Sequence, residues 1–232
     1  MSRQRNDPGQ YDELADEWWD PHGEFAALHW LAASRAEHIP PAPHPGALLV
    51  DLACEAGLMG PHVEPLGYRH VGIDLNLRAL QLAREHGVSV VRGSVLAVPL
   101  PDGCADVVLA GEILEHLEDD IGVLAECARL LRPGGTLVLD ALAKGWLSTL
   151  INVHVLERLP GGPPRGLHDP ALFVDRKRLL AAADRLGLDL RLVGLRPSMR
   201  EAIPWKFGRR HVVRFKPIRS TAVVFAGYGR KR

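Results

Sequence analysis

The 232-residue sequence predicts an α/β domain: a doubly wound, mostly parallel seven-stranded sheet, with N-terminal helices before it and a helical insert after the fifth strand. Three observations carry that expectation. Ala47 to Val50 is an apolar run that ends in Asp51 and is followed within six positions by Ala53, Ala56 and Gly57. An uninterrupted apolar run reads as a strand buried on both faces, and the small residues let the chain turn sharply and let a ligand approach the backbone. Further short apolar runs (Arg69–Ile73, Val88–Val91, Ala105–Ala110, Thr136–Leu139) alternate with helical stretches of about a dozen residues, the βαβ pattern that requires a parallel sheet with helices on both sides. Finally, Asp74 closes the second run 23 positions after Asp51. An acidic residue there either accepts hydrogen bonds from ribose hydroxyls or caps the helix that begins near Leu77.

Composition narrows the class. Lys+Arg and Asp+Glu balance at 28 each, so no global charge points to nucleic acid. With 47% apolar residues the chain can build a sizeable core, and no window reaches the length of a membrane span. Cys54, Cys104 and Cys127 are too scattered for a disulfide framework or a zinc site. The reading is a cytoplasmic protein with no signal for its oligomeric state.

In chain order, residues 1–45 form an N-terminal helical lid and linker, and 46–232 the main domain with its insert at about 144–170. Tyr11, Leu14, Ala15 and Trp18 have helical spacing up to Pro21, and Phe25, Leu28 and Leu31 begin a second helix. The Trp18-Trp19 pair is either a packing plug or part of a lid over the substrate. Pro40 to Gly46 is a stiff linker, and Leu58-Met59 open a helix after the first turn. Helices are expected up to Gly87, over Asp119–Leu131 and over Asp175–Leu186, with late strands at Leu188–Leu195 and Thr221–Ala226. Arg196 to Arg219 reads as basic and irregular. In the insert, apolar residues from Trp146 to Leu159 are too many for one narrow core-facing stripe. They form either a pocket wall or a surface in peripheral contact with lipid.

Six motifs now stand together: W-W-D-P-H-G-E-F-A-A-L-H (Trp18–His29), V-D-L-A-C-E-A-G (Val50–Gly57), G-I-D-L (Gly72–Leu75), G-E-I-L-E-H-L (Gly111–Leu117), L-R-P-G-G-T-L (Leu131–Leu137) and G-L-H-D (Gly166–Asp169). The set resembles the class I S-adenosylmethionine-dependent methyltransferases, specifically the ubiquinone-biosynthesis type of O-methyltransferase. The resemblance implies strand order 3-2-1-4-5-7-6 with the seventh strand antiparallel. It implies that Asp51, Ala53 and Gly57 line the methionine part of S-adenosylmethionine, and that Asp74 takes the ribose hydroxyls with Leu75 beside it. The Arg92–Val95 turn, with Ser94, would flank the adenine, and Glu112 would lie near the sulfonium. The sequence departs from the family pattern at Ala53 and Glu55, where glycine is usual; Glu55 is the larger change, accommodated if its side chain points to solvent.

Glu112, Glu115 and His116 make a second constellation. On a helical turn the two carboxylates share a side, with the imidazole adjacent, a donor set that suits a divalent cation such as Mg²⁺. Such a cation would orient and activate an acceptor hydroxyl. Without it, His116 is a candidate general base, and His168 in G-L-H-D is a second; His29 is a weaker one. The expected activity is methyl transfer from S-adenosylmethionine to a hydroxyl of a small aromatic or quinone-like acceptor. Transfer to nitrogen or carbon, or a non-catalytic binding module on the same fold, are the alternatives.

Overall fold

The structure is a computed structural model that describes residues 5–6, 17–158, 163–209 and 212–232. The helix expected from Tyr11 and the start of the loop after the insert fall largely outside these. The chain enters through α1 (Ala26–Ala36) and reaches the sheet at β1 (Leu48–Leu52). It continues through β2 (Arg69–Asp74), α2 (Leu77–Glu85), β3 (Ser89–Arg92), β4 (Ala105–Gly111), α3 (Asp120–Leu130) and β5 (Leu131–Leu142). After the insert come α4 (Arg176–Arg185), β6 (Leu188–Pro197), α5 (Met199–Lys206), β7 (Phe215–Ile218) and β8 (Val224–Lys231). Three helices start where a short polar side chain can satisfy their orphan amides. Asn76 accepts from the Arg78 and Ala79 N–H groups, Asp119 from Gly122, and Asp175 from Lys177 and Arg178.

Among the described residues the sheet has eight strands, in the order β3-β2-β1-β4-β5-β8-β6-β7. The pairs from β3 to β5 are parallel, and β8 runs antiparallel to both β5 and β6. With β6 and β8 as the sixth and seventh strands, this is the order the resemblance implied, plus one edge strand. The addition corrects the reading of residues 196–219 as irregular: they hold α5 and then β7, which pairs with the end of β6. The strand expected at Thr221–Ala226 starts later, at Val224, and runs to Lys231. β5 is also longer than its apolar core of Thr136–Leu139. Pairing jumps from Ala105–Leu131 to Val107–Thr136, so Arg132-Pro133-Gly134-Gly135 is absorbed as a bulge. After β1 the helix is a single turn at Gly60–Val63, later than Leu58, because Pro61 fits only at a helix start.

Cores lie on both faces. One packs α3 and α4 residues such as Leu124 and Leu179 against Leu52, Leu137 and Phe225. The other packs Trp18, Phe25 and Ala32 against Leu49, Leu109 and Val138. The insert mixes apolar and polar residues on both its faces. It begins as one α-helical turn (Trp146–Ser148), continues as a π-helix (Thr149–Val155) and ends in a 3₁₀ turn. Ser148, Asn152 and Glu157 are buried, whereas Trp146 is 78% exposed and Leu150 and Val155 are over 40% exposed. Asn152 donates to Ser148 Oγ and Ser148 to the Val223 carbonyl, so the inward face carries a polar network beside Val153, which packs on Leu142 and Phe173.

Candidate active site

A cavity of about 640 Å³ opens at the carboxyl ends of β1, β2 and β4, where open α/β sheets bind ligands. Its wall includes Ala53, Glu55, Asp74, Leu75, Glu112 and His116. Four non-glycine residues of that wall lie in the left-handed region: Asn6 at φ 58°, Ala53 at 54°, Glu55 at 50° and Glu112 at 48°. Each conformation costs roughly 1–2 kcal/mol for an L residue with a Cβ, and clusters of such strain mark places where the backbone must present itself to something.

Asp74 ends β2 and faces the cavity, already engaged by its own loop. Its Oδ2 accepts from the Glu55 amide at 3.0 Å and its Oδ1 from the Asn76 amide at 2.8 Å. Burial raises the carboxyl above its ordinary value, and these backbone bonds pull it back. The capping alternative for Asp74 does not hold: Asn76, not Asp74, caps α2. Glu55 does not point away to solvent. It borders this cavity and a smaller pocket behind it, and burial first, then the Asp74 charge, raises its carboxyl well above the usual range.

Other sequence candidates sit off the main cavity wall. Asp51 is buried and borders the smaller pocket, with its Oδ2 3.3 Å from His70 Nε2. Gly57, at φ 79°, has no room for a side chain, since a Cβ would stand 2.9 Å from Ala83 Cα. It lets α2 close against the turn. Ser94 caps a turn through the Leu96 amide, and at that end the cavity is bounded by Arg92, which donates to the Leu75 carbonyl. Trp18 is both plug and wall: it is buried, stacks on Phe25 at 4.1 Å and borders the cavity. Trp19 stacks on His86 at 3.7 Å, and His29 meets the Trp18 carbonyl at 2.9 Å, a packing position rather than a cavity one.

The Glu112-Glu115-His116 set is divided. Glu115 is fully buried, with its Oε1 accepting from the Leu142 amide at 3.0 Å, so it faces β5 and not the cavity. Among the described residues no group of three His, Cys, Asp or Glu side chains is arranged to hold a metal. Glu112 Oε1 and Glu115 Oε2 are buried with no hydrogen-bond partner among the described residues. Burial raises both carboxyls, Glu115 to about 8, and the Glu115 charge raises Glu112 further. His116 borders the cavity, and burial with His168 nearby pushes its imidazole down to about 3. The two rings lie 5.6 Å apart, and His168 Nδ1 is 3.6 Å from Glu157 Oε1, behind His116.

Sequence reasoning missed Arg35. From α1 it reaches the strand ends and makes two 2.7 Å bonds to Asp140 on β5, while Asp140 also accepts from the Glu112 amide. Burial opposes the guanidinium charge, but Asp140 outweighs it and raises the group above its ordinary value. Gly111 makes this possible, because a Cβ there would lie 1.9 Å from Arg35 Cζ. The signal was Asp140 itself, a charge inside an apolar run, which demands a partner. Arg35 also borders the smaller pocket, with Asp51, Glu55 and Glu112.

The residues fit S-adenosylmethionine. A carboxylate stands at the end of β2 for ribose, exposed Leu75 and Leu77 offer apolar surface beside it, and the carboxyls of Glu55 and Glu112 line the wall, where the cations of a sulfonium and an ammonium would favour their ionised forms. A methyltransferase-domain family matches residues 50–139. The ubiquinone biosynthesis O-methyltransferase of Burkholderia thailandensis is 35% identical over 190 residues, covering 78% of this chain and 82% of its own. That of Ralstonia nicotianae is 36% identical over 199 residues, covering 79% and 82%. Among solved structures, a SAM-dependent methyltransferase of Thermotoga maritima superposes with a TM-score of 0.67 at 17% identity, covering 96% of this chain and 97% of its own, a likeness of fold. The chain therefore belongs to the class I S-adenosylmethionine-dependent methyltransferases, and within them to the O-methyltransferase family of these relatives.

Proposed function

We propose that the protein methylates a hydroxyl of a small aromatic or quinone-like acceptor, with His116 as the general base. The observation that carries this is the placement of His116 on the wall of the cavity that also presents Asp74, Ala53 and Glu112. In this reading Asp74 holds the ribose, Leu75 and the Arg92–Ser94 turn flank the base, and Asp51, Ala53 and Gly57 shape the methionine end, with Arg35 behind. The cofactor supplies an electrophilic methyl on a sulfonium. The chain's own part is to hold the oxygen in line and take its proton.

A burial-suppressed imidazole stays neutral across the physiological range and so is in the base form. Its weak basicity suffices here. A neutral hydroxyl becomes strongly acidic as the methyl arrives, so the proton moves with the transfer. His168, one ring behind His116, is a second candidate that supports it. Glu112 lines the same wall.

A divalent cation, the other reading of this cluster, would require Glu115 to give up its Leu142 amide and turn outward. The exposed Trp146, Leu150 and Val155 of the insert favour peripheral contact with lipid, where a hydrophobic acceptor would dissolve, by a cytoplasmic protein. Among the described residues no helix is long and apolar enough to cross a membrane.

The test is mass spectrometry of candidate acceptors incubated with protein and S-adenosylmethionine, reading the gain of one methyl group. Turnover of hydroxylated aromatics that survives exhaustive chelation and falls in His116→Gln supports the reading. Loss of turnover on chelation restores the cation. Methylation only at nitrogen or carbon, or cofactor binding with no turnover, overturns it.

A further inference from the structure

We propose that Asn6 is a positioning residue that holds His116 in a single tautomer, with the proton on Nδ1 and the basic lone pair on Nε2. This rests on His116 being the base. Two bonds from one side chain decide the tautomer. Asn6 Nδ2 donates to the His116 carbonyl at 2.9 Å, which identifies the nitrogen end of the amide. The remaining end, Oδ1, stands 2.6 Å from His116 Nδ1. A carbonyl oxygen only accepts, so Nδ1 must carry the hydrogen. The nitrogen able to take a proton from an acceptor is then Nε2. Clamping the backbone carbonyl and the ring of the same residue also fixes the ring's rotation, as the partners of a functional histidine do elsewhere.

Asn6 is itself held. Its amide donates to the Gly166 carbonyl at 2.9 Å, and Arg5 donates to the His168 carbonyl at 2.6 Å and pairs with Glu157 at 3.3 Å. Asn6 has φ 58°, a conformation that asparagine adopts more readily than most residues. The N-terminal turn is thus stitched to the G-L-H-D loop, and Asn6 joins His116 on the cavity wall. A neutral amide has a further consequence. Among the described residues, the ionisable groups around the ring are Glu112 and Glu115 on its own turn and, across it, His168 with Glu157 and Arg5. Asn6 adds no charge to them, whereas a carboxylate in its place would pair with imidazolium and make the base charge at higher pH.

Long-range proton–nitrogen NMR of the ¹⁵N-labelled full chain reads the tautomer directly, with the His116 signal assigned by its loss in His116→Gln. The expected result is an Nδ1–H imidazole in the wild type. Asn6→Ala should give a mixture of tautomers and lower kcat at least tenfold, with the cofactor dissociation constant unchanged. Asn6→Asp should keep the Nδ1–H form, recover part of kcat and move the acid limb of the pH profile upward. An Nε2–H wild type overturns the proposal without any variant, as does Asn6→Ala with an unaltered spectrum and kcat. Full turnover in His116→Gln instead overturns the base assignment, and the spectrum still decides what Asn6 does to the ring.

Discussion

Adding one methyl group at Gly111 tests whether Arg35 and Asp140 are a structural unit. The nearest three atoms to a Cβ at that position are Arg35 Cζ, Nη2 and Nε, at 1.9, 2.0 and 2.5 Å. Ordinary contact is about 3.5–4 Å, so in Gly111→Ala the guanidinium must retreat by well over 1 Å. Both 2.7 Å bonds to Asp140 then break, and a carboxylate only 1% exposed loses its cation. Breaking a buried ion pair from one side costs about 3–5 kcal/mol, a large fraction of the roughly 5–15 kcal/mol that holds a domain folded. The assay is urea denaturation of the wild type, Gly111→Ala, Arg35→Ala and the double variant. With Arg35 already removed, the new methyl has space, and Gly111→Ala should cost under about 1 kcal/mol there. An equal loss in both backgrounds would show that Gly111 matters for its backbone alone, and the steric account of Arg35 would be wrong.

Three further outcomes are expected. Asp74→Ala removes the ribose acceptor and should weaken S-adenosylmethionine and its demethylated product alike by about 1–3 kcal/mol in calorimetry; unchanged affinity would refute the assignment. Glu115 keeps a proton in the fold up to about 8, against an ordinary 4.5, so its contribution to stability is complete below 4.5 and is lost as pH rises towards 8. Wild type should lose stability relative to Glu115→Gln across that window, on the order of a few kcal/mol, by thermal unfolding at several pH values. If the outward face of the insert meets lipid, Trp146→Ala and Leu150→Asp should each reduce co-sedimentation with anionic vesicles; wild type that stays in the supernatant would remove the lipid contact.

The parallel half of the sheet was legible because buried strands are written as unbroken apolar runs, and Asp51 and Asp74 punctuate their ends. What escaped had physical causes. β7 contains Phe215, Lys216, Pro217 and Ile218, a short exposed pattern with no apolar run, and only its pairing with β6 makes it a strand. The insert's apolar residues were visible, but not that Trp146, Leu150 and Val155 face outward while Ser148 and Asn152 satisfy each other inside. Glu115 was placed beside Glu112 by spacing alone. The tight turn after β4 instead sends its carboxylate to the Leu142 amide. Arg35 lies 105 positions from Asp140, a separation no local pattern spans. Glu55 was expected outside because a charge in a cofactor loop is costly. The left-handed turn at its own backbone holds it at the cavity.

The extra strand also guards against self-assembly. Without β7, the ten-residue β6 would be the outer rim of the sheet, a long row of open amides and carbonyls ready to recruit a strand from a neighbouring molecule. β7 covers the last four positions of that rim, Gly194 to Pro197, with four residues of which Pro217 has no amide hydrogen to offer and Lys216 brings a charge that a second copy would have to bury. β3, at the opposite rim, is equally short and ends in exposed Arg92. An internal deletion of Phe215–Ile218 would therefore be expected to show itself first as concentration-dependent fibrils, before any loss at the cavity.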